Sequence, residues 1–80
     1  MMDKSRFAQI AQIVIIAQNT LKTHSEVKNL THHEVLSLVQ FINKANSNTS
    51  RQQITDRELN KIFNIAQSSQ SKINVHTKKT

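Results

Sequence analysis

The chain contains neither glycine nor proline. Tight two-residue β-hairpin turns depend on backbone with positive φ, usually supplied by glycine after Asn or Asp. Proline is the strongest breaker of a helix interior, at roughly 3 kcal/mol. A chain lacking both has poor means of reversing strands, and nothing so strong to interrupt helices. The expectation is therefore an all-α fold. The same absences exclude chemistry. Phosphate-cradling loops need glycine. With no cysteine, disulfide frameworks and zinc ribbons are excluded as well.

Apolar spacing supports the helical reading. Phe7, Ile10, Val14, Ala17 and Leu21 recur at intervals of three and four, the period of one helix face. Ile13 widens that stripe, while Ala8, Ala11 and Ile15 form a second strip and Ile16 stands apart from both. No charged residue lies between Phe7 and Leu21. This helix is expected either at the centre of the domain or shared with a second copy.

Two further helices announce their starts. Leu30-Thr31-His32-His33-Glu34-Val35 carries a capping box, with Thr31 and Glu34 each bonding the other's free N–H. Leu30 and Val35 provide the accompanying hydrophobic staple. Ile54-Thr55-Asp56-Arg57-Glu58-Leu59 repeats the pattern 24 residues later. The polar run Asn46–Ser50 is expected to stop the second helix, with Asn standing in for glycine in a left-handed cap. Ser68–Ser71 is expected to stop or fray the third. The reading is a small three-helix domain, helices near 3–21, 31–45 and 55–68, within a single unit 1–73. A short, flexible basic tail, 74–80, follows it. Val27 and Leu30 are expected to pack down from the first connection.

The core is small. Outside Met and Ala the chain has 22 large apolar residues, each contributing roughly 1.5–3 kcal/mol when fully buried. Ordering costs about 1.5 kcal/mol per residue, so a domain of this size lies near balance. Self-association would relieve that deficit. A homodimer through Ala8, Ala11, Ile15 and Ile16 is the expectation, because two short helices cannot cover both strips of the first.

Charge is the most informative functional feature. The net +6 is uneven: residues 1–40 carry +1 and residues 41–80 carry +5. Arg57, Lys61, Asn64 and Ser68 fall at helical spacing opposite Leu59, Ile62 and Ala66, with Asn60 beside them and Lys72 near their continuation. Arg, Lys and Asn on one outer helix face can read a major groove. Arg51, Lys78 and Lys79 would add phosphate contacts. The plainer reading is a solvated face.

Other classes find less support. The repeated Thr-x-x-Glu segments resemble the exit of calcium-binding helix–loop–helix units. Yet the nine residues before Thr55 hold no acid, and those before Thr31 only Glu26. Calcium takes six to eight oxygens, mostly carboxylate. His32 and His33 are adjacent, so on a helix they point about 100° apart and do not chelate. Glu34 and Glu58 are accounted for by caps, and no nucleophile turn is present. The uninterrupted apolar run Ile13–Ala17 is shorter than a signal core of roughly 7–15 residues or a span of about 20. The chain reads as soluble and cytoplasmic, without cofactor or metal. It reads as a non-enzymatic DNA-binding regulator, with a protein-binding modulator as the alternative.

Overall fold

A computed structural model describes the backbone of residues 4–78 and the side chains of residues 4–72. The described backbone is all-helical apart from its connections: α1 (Lys4–Val27), α2 (His32–Asn46), a single turn α3 (Asn48–Arg51) and α4 (Asp56–Lys78). The three long helices match the three expected, and the short turn occupies the second connection.

Helix α1 runs six residues beyond the expected end. No breaker follows Leu21, and Thr20 and Ser25 direct their hydroxyls to the Ile16 and Lys22 carbonyls at 2.8 and 2.6 Å. Such bonds keep the polar groups satisfied within the helix. Lys28 then adopts φ 54°, the only positive φ among the described residues. Its N–H reaches the His24 carbonyl at 2.8 Å, closing the last turn in the manner of a left-handed cap. Lys28 thus stands where glycine is normal. His24 Nδ1 accepts the Leu30 N–H at 3.0 Å and fixes the bend that follows. Leu30 is buried as expected, but Val27 is exposed: it sits on α1's last turn, before the chain bends toward the core.

The capping box at α2 forms as its sequence dictates. Glu34 N–H donates to Thr31 Oγ1 at 3.1 Å, and Thr31 N–H donates to Glu34 Oε1 at 2.9 Å. Only half of the second box forms. Glu58 N–H donates to Thr55 Oγ1 at 3.2 Å, but the Glu58 carboxylate turns to Lys44 Nζ at 3.0 Å. Nor does α2 end in a left-handed Asn. Ser47 is extended, φ −95° and ψ 127°, and caps α3 by accepting the Ser50 N–H.

Helix α4 continues through Ser68–Ser71, the expected stop, and reaches Lys78. The first connection holds this part of α4 against the bundle. Asn29 Nδ2 donates to the carbonyl and hydroxyl of buried Ser69, and Lys72 Nζ donates to the Asn29 carbonyl at 3.2 Å. The helical backbone therefore extends into the segment expected to be a tail.

Helix α1 packs against both α2 and α4 and is the central helix. Arg6, near its start, pairs with Asp56 and donates to the Ile54 carbonyl, so α1 and α4 run parallel. Lys44–Glu58 and Glu34–Lys72 tie opposite ends of α2 to α4, which makes those two antiparallel. The core lies where the three meet: Ile10 and Ala17 from α1, Leu38, Phe41 and Ala45 from α2, Leu59 and Ile62 from α4. Leu30 and Ile54, the staples, close it at the connections.

Candidate nucleic-acid interface

The antiparallel ends of α2 and α4 leave a shallow open groove of about 940 Å³. Arg57, Asn60, Lys61, Asn64, Ile65 and Ser68 line it from α4, and His33 and Glu34 from the first turn of α2. This placement follows from the α4 sequence. Leu59 and Ile62 turn inward, so residues about half a turn away must face solvent. Arg57, Asn60, Lys61 and Asn64 are all exposed. None of their side chains has a hydrogen-bond or ion-pair partner among the described residues.

The electrostatics sharpen the picture. Glu34 lines the groove, Asp56 and Glu58 flank Arg57 in the chain, and each of the three is matched by a cation that does not line it. Asp56 pairs with Arg6, Glu58 with Lys44, and Glu34 lies 3.7 Å from Lys72 Nζ. The Thr31 backbone amide holds the Glu34 carboxyl below its ordinary value, with burial opposing and the Lys72 charge assisting. Arg57 and Lys61 are thereby left as uncompensated positive charge on the groove. They lie near the N-terminal half of α4, whose backbone dipole adds to the same sign.

The expected interface residues divide into three groups. Arg57, Asn60, Lys61 and Asn64 come together on the groove. Arg51 and Lys72 are engaged elsewhere. Arg51 stacks over the Phe7 ring at 4.9 Å and bonds Asn48 Oδ1, fastening α3 to α1. Lys72 serves Glu34 and Asn29. The Lys78 side chain and Lys79 lie outside the described residues. His33, Glu34 and Ile65 line the groove without having been expected there. Their part depends on which side of α4 the start of α2 meets, and the Lys72–Glu34 pair fixes that.

The strip expected to dimerise is open. Ala8, Ala11 and Ile15 are exposed, Ile15 to 57%, although α1 is central. Ile16 is half-buried and lies about 100° round the helix from Ile15. Phe7, Leu36 and Val39 are also exposed apolar side chains of α1 and α2. His32 and His33 are exposed in the first turn of α2. Among the described residues no three His, Cys, Asp or Glu groups gather in a way that could hold a metal ion. No described helix is long and apolar enough to cross a membrane. Comparison with known protein families, curated proteins and solved structures gives no match to this chain.

Proposed function

We propose that this chain is a non-enzymatic, cytoplasmic regulator that binds duplex DNA through the outer face of α4. The observation that carries this reading is the groove itself. Glu34, Asp56 and Glu58 are each paired with a cation that does not line it, while Arg57 and Lys61 remain exposed beside Asn60 and Asn64. Arg and Lys supply the phosphate neutralisation that dominates affinity, and Asn can bond base edges bidentately. A single exposed helix face is the element that enters a major groove in many DNA-binding domains. Single-stranded nucleic acid is disfavoured. The chain has no Trp or Tyr and three Phe: Phe41 is buried and Phe7 already carries Arg51, which leaves Phe63, 39% exposed, as a single ring for stacking.

The test is a titration of labelled duplex DNA at about 50 and 200 mM salt. Affinity should fall steeply, with a log–log slope near −0.9 for each phosphate neutralised. Arg57→Ala with Lys61→Ala should reduce that slope by about two contacts' worth while leaving the fold intact. Dissociation constants above about 100 μM at the lower salt would overturn the reading. The second reading is a protein-binding modulator, and it draws on exposed Phe7, Ile15, Leu36 and Val39. Under that reading, affinity capture from native cells returns one stoichiometric protein, insensitive to the double substitution.

A further inference from the structure

The outer face of α1 carries a pattern that the core does not use. Taken at about 100° per residue, Lys4, Ala8, Ala11, Ile15, Lys22 and Glu26 share one side of the helix, opposite Ile10 and Ala17. All six are exposed. The middle of the strip is uncharged, since no charge occurs from Phe7 to Leu21. Lys4 stands at one end, and Glu26 stands at the other with Lys22 one turn before it. Neither Lys4 nor Glu26 has an ion-pair partner among the described residues.

This arrangement is complementary to itself when reversed. If two copies of α1 cross antiparallel with Ile15 against its own counterpart, Lys4 of each falls opposite Glu26 of the other. Ala8 then faces Lys22, and Ala11 faces Asn19. We propose that the protein is a two-fold dimer through α1, antiparallel and centred on Ile15, with a Lys4–Glu26 pair between copies at each end.

Three physical arguments converge on a second copy as the occupant. The charge complementarity occurs twice in one register, as a two-fold axis requires of an isologous contact. Antiparallel pairing also sets the positive end of each helix dipole beside the negative end of its neighbour. Finally, the excess positive charge lies mostly beyond residue 40, on α2, α3 and α4, so the strip can close without bringing the basic groove residues into the contact. The strip is about 33 Å long at 1.5 Å per residue. Alanine on both sides lets the backbones approach, and the aliphatic stem of Lys22 can lie over Ala8 with its ammonium in water. The proposal omits Ile16, which points away from this face.

The absence of native cysteine makes the register directly readable. The chain at about 100 μM should sediment at twice its mass of 9.2 kDa. Ile15→Lys should weaken association by at least ~100-fold, since it sets two like charges at the centre of an apolar contact. Lys4→Glu alone should weaken it by about 10-fold at low salt, and adding Glu26→Lys should restore it. Under mild oxidation Ile15→Cys should cross-link to itself. Ala8→Cys should not, but should cross-link when mixed with Lys22→Cys. Monomer mass for the unmodified chain overturns the proposal. So does a dimer indifferent to Ile15→Lys, which would place the contact on another face. Efficient self-cross-linking by Ala8→Cys overturns the antiparallel register. All these positions are exposed, and each variant's helicity is checked by circular dichroism. The outcome is independent of DNA binding.

Discussion

Lys44 Nζ meets Glu58 Oε1 at 3.0 Å, and this contact withdraws Glu58 from the capping position its sequence favours. The pair is partly exposed, at 34% and 25%, so its own contribution is small, about 0–1 kcal/mol. Releasing Glu58 lets its carboxylate return to the Thr55 N–H and complete the box. Lys44→Ala is therefore expected to cost under about 0.5 kcal/mol by chemical denaturation. Thr55→Ala should cost about 1 kcal/mol. The two changes should be non-additive, because the completed box raises the value of Thr55 once Lys44 is gone. Strict additivity in the double-variant cycle would show that Glu58 does not move.

Glu34 gives the fold an acid-sensitive component. Its carboxyl is held below the ordinary 4.5, first by the Thr31 backbone amide, against the opposing effect of burial. A folded value below the unfolded one means the unfolded chain binds the proton more readily. The stabilisation is then full above the unfolded value and is lost as pH falls through the folded one. Thermal melts of the unmodified chain should lose stability from about pH 4.5 downward. Glu34→Gln should be flatter over the same range. Glutamine still supplies an acceptor to the Thr31 N–H, so the helix start is retained. Parallel pH profiles for the two proteins would remove Glu34 from this role.

Lys28 holds a left-handed backbone conformation that costs a non-glycine residue roughly 1–2 kcal/mol. Its side chain is exposed. Lys28→Gly relieves that cost, and the greater freedom of glycine in the unfolded chain offsets part of the gain. The expected net effect is a stabilisation of up to about 1 kcal/mol, read as a higher midpoint in urea. Lys28→Ala should give no such gain, since Ala carries the same Cβ. A destabilised glycine variant would mean that the bend is held for another reason.

Much of the fold was legible because its determinants are local. The Thr31–Glu34 box needs only residues three apart, and it formed as written. On α4 spacing alone placed Leu59 and Ile62 inward and Arg57, Asn60, Lys61 and Asn64 opposite them, but Phe63, expected on the same core face, is 39% exposed. What escaped depends on distant partners. The serines at 68–71 read as a stop by propensity, yet Asn29, forty residues away, bonds Ser69 within a continuing helix. Glu58 was diverted by a residue fourteen positions earlier. Arg51 read as a free cation until the fold set Phe7 beneath it. Lys28 carries no side-chain signal for left-handed backbone, so the end of α1 could not be placed. The Lys4–Glu26 relation about Ile15 was not legible, because it needs α1 to run past Leu21 and this face of α1 to stay open.

The parallel packing of α1 and α4 also sets the order in which the molecule can assemble. Arg6 and Asp56 are fifty residues apart, whereas α1 and α2 are joined by a short connection and meet as neighbours. Closing the longer loop costs more chain entropy and must precede any reward from the α1–α4 contact. The α1–α2 hairpin is thus expected to form first, with α4 docking afterwards. During synthesis α4 emerges after α1 and α2, so the flank of α1 that it will cover stays wet until α4 has been made. The segment bearing the basic groove is then also the one whose arrival completes the core.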